Sequence, residues 1–136
     1  MRRAIITGAN GFVGRHLVKE LSKQGYEIWS VIRNPDEDIS CIKKLNPNIV
    51  YCDLKNIDKL DEIILERGFD CFYHLAWAGS SGEGRKNYSL QLNNANACVE
   101  AANVASKLGC KRFVGAGSVT ELMYGEYLRQ DGPNQK

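Results

Sequence analysis

The chain has 136 residues and a formal net charge of +2, with 43% hydrophobic and 25% charged residues. These values are ordinary for one globular domain, so we expect a single domain over residues 1–136. Basic residues do not cluster as nucleic-acid binding demands, and no stretch of sequence is apolar enough for a membrane span or a signal peptide. The composition therefore argues against nucleic acid and membranes as partners.

The five cysteines are odd in number, widely spaced and without a C-x-x-C pair. This pattern favours neither a disulfide framework nor a metal site. We expect reduced, mostly buried packing residues of a cytoplasmic protein at Cys41, Cys52, Cys71, Cys98 and Cys110.

A ladder of glycines follows the first apolar segment, which ends at Thr7. Gly8 lets the chain turn off the strand, Gly11 leaves room for a pyrophosphate beside the backbone, and Gly14 allows close packing of helix on sheet. The G-x-x-G-x-x-G spacing differs from the general G-x-G-x-x-G dinucleotide fingerprint. It still predicts a phosphate site at a helix N-terminus.

The helix after the ladder is indicated by Val13, Leu17 and Leu21, which recur on one face, and by Gly25 as a stop. Further strands are predicted over 26–32, over 48–52 after a break at 34–36, over 69–76, and from 112 onward. Helices are predicted around 57–64 and over 92–108, and the tail over 120–136 is helix or loop.

Glycines at 25, 68 and 109 end the three predicted helices just before a strand. Such βαβ alternation requires parallel strands covered on both faces. We therefore predict an α/β fold: a Rossmann-like, doubly wound parallel sheet of about five strands in a three-layer αβα arrangement.

Residues that follow each strand are the site candidates, because ligands of such sheets bind at the carboxyl ends of the strands. Arg33 stands where NAD-binding proteins usually carry an acidic residue, and an arginine there favours the 2′-phosphate of NADP. The alternative is that Arg33 is a solvated loop residue and Asp36 or Asp38 binds the ribose hydroxyls of NAD.

The next two strand ends each carry a titratable residue. Asp53 could accept a hydrogen bond from the adenine amino group, cap the following helix, or do both. His74 fits a packed strand residue better than a catalyst, since the sequence positions no acidic partner for it. The small residues after it would leave room for the ribose and nicotinamide.

Five motifs in this order resemble the extended short-chain dehydrogenase/reductase superfamily, in particular its NAD-dependent epimerase/dehydratase branch that modifies nucleotide sugars. The motifs are Thr7-Gly8-Ala9-Asn10-Gly11-Phe12-Val13-Gly14, Cys52-Asp53-Leu54, His74-Leu75-Ala76-Trp77-Ala78, Asn93, and Lys111-Arg112-Phe113-Val114-Gly115-Ala116-Gly117-Ser118.

The resemblance implies that the glycine loop holds the pyrophosphate, that Asp53 and Leu54 contact the adenine, and that Leu75 and Ala76 flank the nicotinamide. Asn93 would belong to the helix beside the active site, and Ser118 would hydrogen-bond a substrate oxygen as the catalytic serine. The stretch around Arg33 is similar to that of NADP-using members. The full predicted cofactor set is Gly8, Asn10, Gly11, Phe12, Val13, Gly14, Arg33, Asp53, Leu54, Leu75, Ala76 and Asn93.

One departure from the family concerns the catalytic Tyr-x-x-x-Lys pair, in which the lysine lowers the pKa of the tyrosine. The only such spacing here joins Tyr51 to Lys55, at the adenine side of the predicted site. Tyr124 and Tyr127 are followed four residues on by Leu128 and Asp131. The sequence therefore resembles the cofactor half of a longer enzyme.

Two hypotheses follow. The chain is the NAD(P)-binding portion of a nucleotide-sugar epimerase, dehydratase or reductase that transfers hydride at a sugar carbon, inactive alone; or it is a non-catalytic NAD(P)-binding regulatory or subunit module. A degenerate copy that binds nothing is a weaker third reading. By resemblance, the helix over 95–108 either forms a homodimer interface or packs only on its own sheet.

Overall fold

The computed structural model describes residues 1–130, and the last part of the predicted tail lies outside these residues. The strands are β1 (Arg3–Thr7), β2 (Glu27–Ile32), β3 (Asn48–Tyr51), β4 (Cys71–His74) and β5 (Phe113–Gly115). The α-helices are α1 (Phe12–Lys23), α2 (Ser40–Lys43), α3 (Leu60–Ile63), α4 (Tyr88–Lys107) and α5 (Val119–Gln130). Two 3-10 helices cover Leu54–Lys59 and Gly82–Lys86.

The five strands form one parallel sheet in the order β3-β2-β1-β4-β5. The register pairs Thr7 at the end of β1 with Val31 on one side and His74 on the other. Strand order reverses at β1, which opens a crevice above the carboxyl ends of β1 and β4. The predicted doubly wound fold is confirmed.

Two apolar cores, one on each face of the sheet, make the three layers. On one face the aromatic rings of Trp29, Phe69 and Phe72 share a core with the alanines of α4. Leu60 of α3 and Ile57 of the 3-10 helix that precedes α3 belong to the same core. On the other face Ile6 and Ile28 pack against α1 and α2. Because strands of a parallel sheet are covered on both faces, every residue of β1 and β2 after the first is buried.

The buried face of α1 agrees with the prediction at Leu17 and Leu21 and departs from it at Val13. Gly14, Val18 and Leu21 are buried, whereas Val13 is 62% exposed at the first turn. The helix packs against the sheet through a position without a side chain, which brings its N-terminus close to the strand ends. Gly25 follows the helix at φ +75, as predicted for a stop.

The helix predicted around residues 57–64 is correct in place but wrong in extent. Leu54–Lys59 is a kinked 3-10 helix, and α3 ends at Ile63 rather than at Gly68. The guanidinium of Arg67 donates to the carbonyl of Ile64 at 2.7 Å and to that of Asp61 at 3.1 Å. These bonds satisfy backbone acceptors that further helical turns would otherwise use.

Two other helices also depart from the predictions. The four-residue α2 lies between β2 and β3, where only a break was predicted, and its Ile42 is fully buried. Helix α4 begins at Tyr88, before the predicted residue 92, because the side chain of Asn87 accepts a hydrogen bond from the N–H of Leu90 at 3.0 Å. Across residues 1–130, none of the helices has the length and apolar character that a bilayer crossing needs.

The five cysteines are free, as predicted, but burial holds for only part of the set. Cys52 and Cys71 are buried, two others are half-buried, and Cys41 is exposed. Cys41 lies in α2 and is exposed while the next residue, Ile42, is buried, so a packing role does not fit Cys41.

Candidate functional site

The glycine loop joins β1 to α1 at the centre of the sheet. Gly8 has φ +67, and a Cβ there would lie 3.0 Å from backbone atoms of Ala76 on β4's exit segment. A Cβ on Gly14 would overlap the carbonyl oxygen of Gly8 and lie 2.8 Å from Cα of Ala9. Both positions therefore require glycine, for conformation and for space respectively.

The N-terminus of α1 opens toward solvent above this loop. Gly11 occupies the N-cap position, no side chain caps the helix, and its first turn carries no acidic residue. The first N–H groups of a helix lack intrahelical partners, and the helix dipole favours negative charge there. The arrangement suits a phosphate or pyrophosphate.

A cleft of about 1050 Å³ runs from this helix end across the carboxyl ends of the strands. All twelve residues of the predicted cofactor set line it: Gly8, Asn10, Gly11, Phe12, Val13, Gly14, Arg33, Asp53, Leu54, Leu75, Ala76 and Asn93. They come from five separate segments, so the fold brings together what the sequence disperses. A dinucleotide-sized ligand fits such a volume.

At one end of the cleft, Arg33 forms a short ion pair with Glu37. Glu37 also lines the cleft, whereas Asp36 and Asp38 are not among its lining residues. Asp38 instead accepts a hydrogen bond from the N–H of Ser40 at 2.8 Å, and this bond holds the pKa of its carboxyl below the usual value. Among the acidic residues that follow β2 in residues 33–38, Glu37 is thus the one that lines the cleft.

Asp53 performs the structural role that the sequence left open. Its Oδ1 accepts a hydrogen bond from the N–H of Lys55 at 2.9 Å and caps the 3-10 helix, while the residue still lines the cleft. Lys55 lines the same end. Tyr51, its partner in the only Tyr-x-x-x-Lys spacing, lies on the outer strand β3, across the sheet from β5.

A second cavity of about 390 Å³ adjoins the cleft and shares Leu75, Ala76, Trp77 and Ser80 with it. Ser118 lines this cavity and not the cleft. Its Oγ accepts a hydrogen bond from the N–H of Thr120 at 3.2 Å, and Glu121 accepts one from the N–H of Ser118, also at 3.2 Å. This reciprocal pattern is that of a capping box, so Ser118 both begins α5 and faces the cavity.

Two amides of α4 hold the loop that separates the two cavities. Gln91 accepts a hydrogen bond from the indole N–H of Trp77 at 2.9 Å and donates to the carbonyls of Gly79 and Gly84. Asn94, 3% exposed, donates to the carbonyl of Ala78 at 2.7 Å and accepts from its N–H at 2.9 Å. The loop is therefore anchored to a helix rather than free.

His74 ends β4 inside the sheet and is 3% exposed. Its Nδ1 lies 3.0 Å from Oγ1 of Thr7, and its ring stacks on Phe113. Burial lowers the pKa of His74 below the ordinary value of 6.5, which favours the neutral ring.

Comparison with known proteins matches residues 4–135 to the model of the NAD dependent epimerase/dehydratase family. The chain belongs to this family. A dTDP-6-deoxy-L-talose 4-dehydrogenase (NAD(+)) of Aggregatibacter actinomycetemcomitans is 29% identical over 88% of the chain and 43% of its own length. A UDP-glucose 4-epimerase of Cyamopsis tetragonoloba is 30% identical over 90% of the chain and 37% of its own length.

Solved structures agree on the fold of this family member. The UDP-glucose 4-epimerase from Bifidobacterium longum, solved in complex with NAD+ and UDP, superposes with a TM-score of 0.73 at 21% identity. That match covers 87% of the chain and 37% of the epimerase. The chain thus spans about two fifths of the length of the curated relatives it matches.

Several lining residues were not predicted from the sequence as members of the site. Glu37 lines the cleft, and Arg85 and Gln91 line the second cavity. The spacing of four residues from Arg33 to Glu37 was a usable signal for an ion pair. Gln91 carries no such signal, because its partners lie on a loop 7 to 14 residues away.

Proposed function

We propose that this chain is the NAD(P)-binding portion of an enzyme that transfers hydride at a sugar carbon of a nucleotide sugar. The enzyme would be an epimerase, a dehydratase or a 4-keto-reductase. The observation that carries the proposal is the single cleft at the uncapped N-terminus of α1, lined by all twelve residues of the predicted cofactor set. The named activities of the relatives support it.

The cleft offers a separate group for each part of the cofactor. The N–H groups at the start of α1 would bind the pyrophosphate, Asp53 and Leu54 would contact the adenine, and Leu75 and Ala76 would flank the nicotinamide. When bound, the cofactor supplies a hydride acceptor and donor. The residues of this chain bind it and orient it.

For the choice of cofactor, we propose NADP on the strength of Arg33, whose guanidinium at the end of β2 suits a 2′-phosphate. The observation that opposes it is Glu37, which pairs with Arg33 and would repel a phosphate. NADP binding then requires Arg33 to leave Glu37. The test is the ratio of the dissociation constants for NADP+ and NAD+.

The experiment that tests cofactor binding is thermal unfolding of the purified chain with and without NAD+ or NADP+. A ligand at one hundred times its dissociation constant stabilises the native state by about 2.7 kcal/mol. We expect a rise in melting temperature with at least one of the two. The absence of a shift with either would overturn the proposal.

For chemistry, Ser118 would hydrogen-bond a substrate oxygen in the second cavity. The proton exchange that accompanies hydride transfer needs a group tuned to the working pH, which the family supplies as a Tyr-Lys pair. The only such spacing in this chain lies at β3, so we propose that residues 1–136 alone do not turn over nucleotide sugars. Sugar-nucleotide oxidation or reduction above that of a Ser118→Ala control would contradict this.

An alternative function is a non-catalytic NAD(P)-binding regulatory or subunit module, since all twelve residues of the predicted cofactor set line the cleft and Ser118 does not. The two functions differ in whether a nucleotide sugar binds. A module would bind NAD(P) and show no response of the second cavity to UDP-glucose, whereas a portion of a sugar-modifying enzyme would show both.

We propose in addition that the protein acts in the cytoplasm, where free thiols persist, and that it forms a homodimer. Helix α4 buries Ala97, Ala101 and Ala105 against the sheet, while Leu92 and Val99 are exposed on its other side. That outer side is the candidate interface. Sedimentation velocity of the wild type and of a Val99→Glu variant tests it: a dimer that dissociates in the variant supports the proposal.

A further inference from the structure

The hydroxyl of Thr7 lies at the centre of a three-way contact between β1 and the end of β4. Its Oγ1 is 3.0 Å from Nδ1 of His74, and it accepts hydrogen bonds from the N–H groups of Leu75 at 3.1 Å and Ala76 at 3.2 Å. Thr7 is 1% exposed and His74 3% exposed. The contact is therefore shielded from exchange of partners with bulk water.

The protons in this contact can be assigned by counting donors and acceptors. A hydroxyl has one hydrogen to donate and two lone pairs that accept. The N–H groups of Leu75 and Ala76 can only donate, so they occupy the two lone pairs of the Thr7 hydroxyl; the N–H of Leu75 shares its bond with the main-chain carbonyl of Thr7, at the longer distance of 3.3 Å. Its single hydrogen then points to His74, where Nδ1 must be an acceptor. The imidazole is neutral and carries its proton on Nε2.

The Nε2 of His74 is buried and has no hydrogen-bond partner within residues 1–130. On one face the ring meets Phe113, with ring centroids 6.2 Å apart, and that side chain offers no strong acceptor. His74 also lines the second cavity, together with Ser118, Gln91 and Arg85. A buried donor without a partner costs free energy, so its persistence in a fold requires an explanation such as a role at a functional site.

We propose that Thr7 holds His74 as a neutral Nε2–H imidazole, and that this N–H donates a hydrogen bond to a hydroxyl or carbonyl oxygen of the sugar bound in the second cavity. The inference rests on the proposed function for the identity of the ligand as a nucleotide sugar. His74 is a binding residue in this account. It does not transfer a proton, since Nδ1 is occupied by Thr7 and the ring stays neutral.

The first test measures the tautomer of His74 in the ¹⁵N-labelled chain by long-range ¹H–¹⁵N correlation. The chain has a second histidine, His16, which is exposed on α1 and serves as an internal control. We expect His74 to show only the Nε2–H form, whereas the ring of exposed His16 has no contact in the described residues that selects one tautomer through a side-chain hydrogen bond. A protonated Nδ1 on His74 near neutral pH would overturn the proposal.

Two variants of Thr7 form a matched pair for this measurement. Thr7→Ser keeps the hydroxyl and is expected to keep the Nε2–H form, whereas Thr7→Val replaces the hydroxyl by a methyl group and releases Nδ1. A mixture of tautomers in Thr7→Val alone supports the proposal. The same pure tautomer in both variants would contradict it. Should Thr7→Val fail to fold, the wild type and Thr7→Ser still decide the tautomer.

The second test adds NAD+ and then UDP-glucose to the same labelled chain. We expect NAD+ to shift the amides of the glycine loop, and UDP-glucose to shift the Nε2–H signal of His74 together with the amides of Ala116 and Ser118. In His74→Asn, which keeps an acceptor near Nδ1 but lacks the Nε2–H, UDP-glucose should bind about three- to tenfold more weakly, the factor that one net hydrogen bond gives. NAD+ affinity should stay unchanged.

The outcomes separate this inference from the proposed function. No response of the glycine loop to NAD+ would count against cofactor binding itself. A response to NAD+, with UDP-glucose moving the cavity amides but not His74, would overturn the inference alone. If UDP-glucose moves neither, the second cavity does not bind a sugar in this chain; the inference is then overturned together with the sugar-modifying part of the proposed function, while cofactor binding stands.

Discussion

Replacing Gly14 by alanine tests the close approach of α1 to the sheet. A Cβ at this position would overlap the carbonyl oxygen of Gly8 and lie 2.8 Å from Cα of Ala9, and neither backbone atom can move as a flexible side chain does. Such overpacking costs about 1–3 kcal/mol, and contact with backbone puts Gly14→Ala near the upper end. The higher helix propensity of alanine offsets about 1 kcal/mol of this cost. We therefore expect a net loss of about 2 kcal/mol in the free energy of unfolding.

A second helical glycine provides the control for this variant. Gly125 lies within α5, and a Cβ there would have no heavy atom within 4 Å. Gly125→Ala gains the same helix propensity without overlap, so it should raise the free energy of unfolding by up to about 1 kcal/mol. The two variants should differ by about 3 kcal/mol, which urea titration of each resolves.

The same pair of variants separates stability from binding. Because an alanine at Gly14 forces α1 away from the strand ends, the N–H groups that would bind pyrophosphate move with it, and NAD+ should bind at least about tenfold more weakly, as even a 1 Å misplacement can cost more. Gly125→Ala should leave NAD+ affinity unchanged. Equal stabilities and equal affinities in the two variants would refute the reasoning.

Three further predictions concern charge and reactivity. Glu37→Gln should release Arg33 and raise the affinity for NADP+ relative to NAD+, with the two dissociation constants measured by calorimetry. Burial lowers the pKa of His74 in the native state below its value in the unfolded chain. The free energy of unfolding should therefore fall as the pH decreases from about 6.5 toward the native pKa. Thermal melts between about pH 7.5 and about pH 5.5 measure this loss. Exposed Cys41 should react fast with iodoacetamide, whereas Cys52, with a pKa raised to about 11 chiefly by burial, should stay unmodified until unfolding, as mass spectrometry can resolve.

Each of these three has its own control and its own contrary result. An unchanged ratio of affinities in Glu37→Gln would show that the ion pair does not govern cofactor choice. The loss of unfolding free energy on acidification should be smaller in His74→Asn than in the wild type. An equal loss in both proteins would mean that other groups cause it. Asp38 and Asp70 do not contribute in this pH range, because the pKa values of their carboxyl groups are lowered from 3.8 and the groups take up protons only at lower pH. Modification of Cys52 in the native chain at the rate of Cys41 would contradict the burial argument.

The fold could be predicted from the sequence where local signals agree with tertiary packing. The apolar segment before Gly8, the glycine spacing and the stop at Gly25 define β1 and α1 to within a few residues. Within α1, apolar periodicity wrongly assigns Val13 to the buried face, whereas the glycine spacing correctly marks Gly14 as the position where helix and sheet pack closely. A glycine contributes nothing to a hydrophobic pattern.

The predictions for α3 and α2 were wrong for different physical reasons. Helix α3 ends before Ile64, which has an extended backbone, and the side chain of Arg67 binds the carbonyls of Asp61 and Ile64, contacts that no periodicity reveals. Helix α2 is a single turn held by one buried side chain, Ile42, too short for a repeat of the apolar pattern.

Site residues that directly follow a strand could be predicted from the sequence. Contacts between side chains far apart in the sequence could not. Arg33 and Asp53 follow strands directly, so their lining of the cleft was expected. The bond of Thr7 to His74 joins residues 67 positions apart, and it depends on the pairing of β1 with β4. Only the register of the sheet brings these two side chains together.

The central claim is that the cleft at the glycine loop binds a nicotinamide dinucleotide. The most direct measurement is a calorimetric titration of the purified chain with NAD+ and, separately, with NADP+. The account predicts saturable binding at one site per chain for at least one of them, weakened at least about tenfold in Gly14→Ala and retained in Gly125→Ala. No saturable heat with either dinucleotide, from chain shown to be folded, would contradict it.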